Sequence, residues 1–196
     1  MPDSEKPIIG VLALQGDVPE HVRALEAAGA TAVPVKTLAQ LESVEGLVIP
    51  GGESTTVGML LERFGLMEPL RERVAGGMPL FGTCTGLILM AREIEGSDQP
   101  RIGCLDIAVK RNAYGRQVDS FETEVSVPEI GGEPVQGLFI RAPQVTRVAA
   151  EVEVLAEGEA GPVVVRQGKL LGATFHPELT GDTRLHALFV RMAREP

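Results

Sequence analysis

The stretch FGTCTGLILM, residues 81–90, sets a cysteine between two glycines where a short apolar strand run gives way to an apolar helical one. Its segment GTCTG (82–86) has the spacing of a nucleophile elbow, G-x-nucleophile-x-G, with Cys84 at the centre. In such an elbow the nucleophile sits on a sharp strand-to-helix turn, and the flanking glycines let the chain reverse without Cβ clashes. The thiol then projects from the end of a sheet, where the N-terminus of a helix starting near Thr85 favours the thiolate. A small core cysteine in a glycine-rich turn is the competing reading, because the pattern is short. A reactive thiol needs a base and oxyanion donors, so the rest of the chain decides.

Outward from the elbow, the first half alternates strand and helix signals. A strand over 79–82 feeds the turn. Upstream, 8–14 is a fully apolar strand, and Asp17 offers an N-cap acceptor with Pro19 and Glu20 behind it. Val22, Leu25 and Ala28 follow at helical spacing, and Gly29 closes that helix. Strands are expected over 32–35 and 46–49, and helices over 38–44, 55–64 and 67–75, the last ended by Gly76 and Gly77. This βα alternation predicts an α/β fold with a parallel sheet. Beyond Gly103 the texture changes to short strands over 105–110, 120–127, 135–140, 152–156, 163–166 and 170–175, before a final helix over 184–193. With 196 residues and no repeat or linker, residues 1–196 read as a single domain.

Composition narrows the function classes. A formal net charge of −9 argues against nucleic acid as a partner, since that affinity rests on Lys and Arg displacing counterions. The start, MPDSEKPIIGVLAL, lacks the basic region and cleavage site of a secretory signal. No apolar run approaches the roughly 20 residues of a membrane span. The two cysteines, Cys84 and Cys104, make no disulfide framework, and neither has the CxxC spacing of a redox or zinc site. A cytoplasmic location without membrane contact and without a bound metal is the expectation. Cys104, in an apolar run, reads as core.

The base has three candidates, His21, His176 and His186. His176 follows an apolar strand in TFHPEL (174–179), and Pro177 biases it towards an extended conformation. Residues two apart in an extended chain face the same side about 6–7 Å apart, so the Glu178 carboxylate can reach the imidazole. The carboxylate would hold the tautomer and stabilise the imidazolium that forms when His176 takes the thiol proton. A strand-end histidine beside a solvated glutamate is the plainer alternative. His21 and His186 read as surface residues. For the oxyanion, PGGES (50–54) lies at the carboxyl end of the third strand, where open parallel sheets place their ligand crevice. Gly51 and Gly52 can turn N–H groups inward, and Glu53 and Ser54 can bind polar substrate groups; a plain helix-capping turn with Ser54 as the cap is the other reading.

With GTCTG, PGGES and FHPEL in this order, the chain resembles the class I (triad) glutamine amidotransferases, and among them the glutaminase subunits of pyridoxal phosphate synthase. The narrower resemblance rests on IGVLALQGDVPEH at the start, PGGESTT, FGTCTGLI, RNAYGRQVDSFE (111–122), FIRAP (139–143) and FHPELT (175–180). It implies a three-layer, flavodoxin-like α/β domain with a mostly parallel central sheet flanked by helices, and extra antiparallel strands in the C-terminal half. It implies Cys84 as the nucleophile that forms a glutamyl thioester, His176 as general base then acid, and Glu178 as the residue orienting His176. It assigns L-glutamine binding to Gly52, Glu53, Ser54, Arg111, Ile140 and Arg141, and the oxyanion hole to Gly51, Gly52 and Thr85. Cationic and anionic side chains suit the α-carboxylate and α-ammonium of glutamine. Gln15 and Gly16, in the family's LQG block, are expected near the oxyanion loop or the partner surface. No cofactor is implied, and the implied partner is a separate synthase subunit that accepts the ammonia in a large hetero-oligomer. One departure stands out: the family usually has Ala after the nucleophile, where this chain has Thr85, which keeps the N–H but adds a β-branch. The glutaminase subunit of imidazole glycerol phosphate synthase and a catalytically silent elbow-cysteine module are the alternatives.

Overall fold

The computed structural model describes residues 6–111 and 120–195. Most of the block RNAYGRQVDSFE, residues 112–119, lies outside them. In chain order the elements are β1 (Ile8–Leu12), α1 (Val18–Ala27), β2 (Thr31–Val35), α2 (Leu38–Glu42), β3 (Gly46–Ile49), α3 (Ser54–Arg63), α4 (Met67–Ala75), β4 (Leu80–Thr83) and α5 (Thr85–Met90). There follow β5 (Ala91–Ile94), β6 (Leu105–Lys110), β7 (Ser120–Val125), β8 (Val135–Ile140), β9 (Gln144–Val148), β10 (Glu153–Gly158), β11 (Gly161–Gln167), β12 (Leu170–Ala173) and α6 (Arg184–Arg194).

Seven strands form the central sheet in the order β10-β11-β12-β4-β3-β1-β2. From β12 to β2 every pairing is parallel, and β10 and β11 extend it antiparallel. Alternation along the strands sends successive side chains to opposite faces. Leu47, Ile49 and Leu80 therefore join α2, α3, α4 and α5 in one core, with Leu61 and Leu70. Val48 and Phe81 join α1 and α6 in the other, with Leu25, Phe175 and Phe189. Three layers result, helices on both faces of a mostly parallel sheet. Phe81, Phe175 and Phe189 are fully buried, and burial of such a ring contributes about 2–3 kcal/mol.

Two smaller sheets belong to the C-terminal half. β5, β6 and β9 form one, and the antiparallel pair β7 and β8 the other, with Phe121 stacked on Phe139 at 4.7 Å. β5 and β9 are strands that the sequence reading does not place. β5 follows α5 without a glycine or proline, and the switch occurs at Ala91, whose φ −59° and ψ 137° leave the helix abruptly. The expected strands over 8–14, 120–127 and 170–175 stop two residues early, at Leu12, Val125 and Ala173.

The elbow glycines act by close approach. An ideal Cβ on Gly86 would stand 2.1 Å from the Ile49 carbonyl oxygen, and one on Gly82 would stand 2.5 Å from the Gly86 carbonyl carbon. The left-handed conformation falls on Cys84 itself, at φ 49°. Because the obstacle at Gly86 is β3 backbone, Gly86→Ala has no flexible side chain to push aside. It is expected to destabilise the fold by about 3 kcal/mol or more, and a urea midpoint equal to that of the parent would contradict this packing.

Candidate functional site

Four adjacent parallel strands, β12, β4, β3 and β1, end on the same edge of the sheet, and each hands its next residues to one crevice. β4 delivers Cys84, β3 delivers Gly51 to Ser54, β1 leads to Gln15 and Asp17, and β12 leads to His176. Together with Arg111, Ile140 and Arg141 these line a cavity of about 420 Å³ that also takes in Thr85 and Ile88. Every residue expected at the site lines it except Glu178, which is buried behind His176. The volume lies in the range of small-ligand pockets.

Cys84 is held by its backbone N–H donating to Ala173 at 2.8 Å, and its Sγ lies 3.7 Å from the Ile140 carbonyl oxygen. Among the described residues, Cys84 and Arg141 (φ 44°) are the two non-glycine positions with positive φ, and both line the cavity. Sparse backbone conformations of this kind cost of order 1–3 kcal/mol and persist where the surroundings over-determine them.

His176 is fixed through both backbone and ring. Its N–H donates to Leu138 of β8 at 2.9 Å, and Gly51 packs against the imidazole so closely that a Cβ there would lie 2.3 Å from Cε1. Nδ1 meets Glu178 Oε1 at 2.7 Å. The contact predicted from an extended chain is present, but it is made through a 3-10 turn, Pro177–Leu179. Burial presses the imidazolium of His176 to give up its proton; Cys84 and the Glu178 carboxylate outweigh burial and push the pKa up to about 10. Burial also works against the Glu178 carboxylate, yet hydrogen bonds from His176 and His21 hold it well below the usual carboxylate range.

His21 and His186 correct the sequence reading: both are fully buried, neither at the surface. The expected stripe of Val22, Leu25 and Ala28 does pack on the core, but the apolar face of α1 is wider than expected, and its buried positions are His21, Ala24 and Leu25. The spacing 21, 24, 25 is itself a helical core pattern, and it carries the signal that finds His21. Asp17 is a second correction. It stands at the N-cap of α1 without capping it, and Oδ2 instead lies 3.6 Å from His176 Nδ1. Burial, and then the Glu178 charge, raise the pKa of Asp17. Asp17, His176 and Glu178 bring their ligand atoms within 4.8 Å of one another, a grouping compatible with a cation, but Nδ1 and Oε1 are already engaged with each other.

The PGGES loop does cap a helix, through Glu53 and not Ser54. The Glu53 carboxylate accepts from the Thr55 and Thr56 N–H groups at 3.1 and 2.8 Å and from the Thr56 hydroxyl at 2.8 Å. Ser54 is buried and donates to Gln99 Oε1 at 3.3 Å. The same oxygen accepts from Thr55 at 3.3 Å and from Arg111 at 2.7 Å. Gln99, absent from the sequence reading, thus ties two expected glutamine-binding residues together; it lies 45, 44 and 12 positions from Ser54, Thr55 and Arg111, and no local pattern marks it. Thr85 donates its hydroxyl to the Gly52 carbonyl at 2.6 Å, and Gln15 Oε1 accepts the Glu53 N–H at 2.9 Å. The hydroxyl that departs from the family pattern therefore joins the Cys84 turn to the glycine loop, and Gln15 lies beside that loop, the first of the two places expected for the LQG block.

The family model of the SNO glutamine amidotransferases matches residues 11–195. Among curated proteins, the chain is 58% identical over 190 residues to "Pyridoxal 5'-phosphate synthase subunit PdxT" of Frankia casuarinae, covering 96% of each chain. It is 57% identical over 201 residues to the protein of that name from Kineococcus radiotolerans, covering 98% of this chain and 97% of the other. Among solved structures, a crystal structure of a glutamine amidotransferase superposes with a TM-score of 0.89 at 49% identity, over 94% of this chain and 98% of that one. PurLQS from Thermotoga maritima, at 17% identity over 94% of this chain and 96% of that one, shares the fold with a TM-score of 0.69.

Proposed function

The chain belongs to the SNO glutamine amidotransferase family, and from that premise we propose that it is the glutaminase subunit of a pyridoxal 5'-phosphate synthase. Residues 1–196 act as one glutaminase domain, in the cytoplasm, within a hetero-oligomer. The observation that carries the chemistry is the His176 Nδ1–Glu178 Oε1 contact of 2.7 Å directly behind a cavity that holds Cys84.

Cys84, as thiolate, attacks the side-chain amide carbon of L-glutamine, and the carbonyl oxygen takes the electron pair in a tetrahedral intermediate. His176, held protonated, gives its proton to the amine, which leaves as ammonia when the C–N bond breaks and the thioester forms. His176 then takes a proton from water, whose oxygen attacks the thioester; the C–S bond breaks and glutamate leaves. Glu178 keeps the imidazole oriented and its cation stabilised throughout. Gly51, Gly52 and Thr85 provide the oxyanion environment, while Gly52, Glu53, Ser54, Arg111, Ile140 and Arg141 hold glutamine. No metal or organic cofactor enters these steps.

Ammonia passes to the synthase subunit, which uses it to build pyridoxal 5'-phosphate. The relatives' names favour this pathway over that of imidazole glycerol phosphate. The His176–Glu178 pair speaks against a silent module, which has no need of it. Glutamate release by the purified chain, alone and with a pyridoxal phosphate synthase subunit, tests the reading. Strong stimulation by that subunit is expected; release that ignores it would move the chain to another pathway.

A further inference from the structure

Behind the Glu178 carboxylate the chain continues a polar line that the reaction steps above do not use. His21 Nε2 lies 3.4 Å from Glu178 Oε1 and 3.1 Å from the Thr83 hydroxyl oxygen. His21 Nδ1 lies 3.0 Å from His186 Nε2. All of these side chains are buried, in a layer otherwise packed with aromatic and aliphatic groups; Phe81 meets the His186 ring edge-on, with centroids 5.6 Å apart. Buried polar groups cost free energy unless they are paired, so two histidines in this place call for a reason.

Their tautomers follow from hydrogen-bond accounting. An ionised carboxylate only accepts, so the ring nitrogen that faces it must carry a proton. That makes His21 Nε2 the donor, shared between Glu178 and Thr83, and leaves Nδ1 as an acceptor. His186 Nε2–H then donates to His21 Nδ1. The remaining nitrogen, His186 Nδ1, is unprotonated in this arrangement, and it has no hydrogen-bond partner among the described residues. The opposite tautomers would turn a lone pair of His21 towards the carboxylate and bury an N–H on His186 with no acceptor.

We propose that His21 is a positioning residue for the triad: with its tautomer set by His186, it holds Glu178 Oε1 in the orientation that meets His176 Nδ1. A competitor makes this hold matter, because Asp17 Oδ2 also approaches His176 Nδ1, at 3.6 Å. Glu178 Oε1 is anchored from behind by His21 and from in front by His176, whereas the ion-pair contact that the Asp17 carboxylate makes among the described residues is with His176 alone.

This inference rests on the glutaminase reading for its kinetic arm only. His21→Leu is expected to lower the kcat for glutamate release in the complex about 10–100-fold, the usual range for loss of a group that orients a reactive residue, with KM changed less than about twofold. His21→Gln, which keeps an N–H donor, should recover most of that loss. The pH profile of Cys84 alkylation by iodoacetamide should shift in His21→Leu and return towards the parent profile in His21→Gln. A purely packing role would leave that profile unchanged among the folded molecules and would not discriminate Gln from Leu. In the unaltered protein, ¹⁵N correlation spectra of the imidazoles should show His21 protonated at Nε2 and accepting at Nδ1. That measurement stands even where His21→Leu does not fold, and His21 protonated at Nδ1 alone would overturn the proposal, as would a Leu variant with parental kcat and alkylation profile. If the parent releases no glutamate while the spectra and alkylation behave as stated, the reaction assignment fails and the positioning role survives.

Discussion

Cys84→Ala should abolish glutamate release, by on the order of 10⁵-fold in kcat, because the variant lacks the atom that forms the thioester in the mechanism we propose. The fold should survive. Alanine fits within the space of the buried cysteine, and the cost of φ 49° is common to both residues. Glutamine should still bind, since the cavity keeps its polar lining, so calorimetric titration would show uptake without turnover. A second thiol provides the control. Burial pushes the Cys104 thiol up to about 12, so near neutral pH it remains protonated and slow to alkylate. Iodoacetamide should therefore label one site in the parent and almost none in Cys84→Ala. Turnover that persists in the variant would remove Cys84 from the mechanism altogether.

What the sequence makes legible is what lies close together along the chain. The GTCTG elbow, the PGGES loop and the FHPEL turn each concentrate their signal in a few adjacent positions, and alternating βα texture brings the first two to the same sheet edge, whereas FHPEL joins them because β12 pairs parallel with β4. Contacts between distant elements are a different matter. His21 and His186 are 165 positions apart, and nothing local says that α1 and α6 bury them against each other. Helical spacing of His21 with Ala24 and Leu25 marks a buried face, but an unpartnered histidine on such a face is unfavourable, which makes the surface reading attractive until the partners are visible. Asp17 misleads for the opposite reason. Its position before Pro19 and Glu20 satisfies the rules for a cap, while the neighbouring His176 belongs to the far end of the chain. The strand β5 escapes because apolar residues run unbroken from α5 into it, and periodicity does not divide a continuous apolar run.

Glu178→Gln keeps the size and shape of the side chain and should still lower kcat by about 10³–10⁴-fold, the loss seen when a triad acid becomes an amide that favours the wrong tautomer. Glu178 Oε1 now accepts from His176 Nδ1, which leaves Nε2 free for the proton exchange with thiol and leaving amine that the proposed mechanism requires. An amide can present an N–H to Nδ1, trapping the proton on Nε2, and it offers no charge to stabilise the imidazolium. Stability should respond with a defined sign. The Glu178 carboxyl is held below its ordinary value of 4.5, so its contribution is fully present above that pH and is lost as pH falls towards the folded value. His176 is raised from 6.5 to about 10, so its contribution is present below 6.5 and is lost as pH rises through about 10. The parent's stability advantage over Glu178→Gln should therefore peak between pH 4.5 and 6.5 and shrink on either side. Urea denaturation of both proteins across that range reads the difference directly, and a gap that does not vary with pH would mean that the pair is not coupled to folding as its geometry requires.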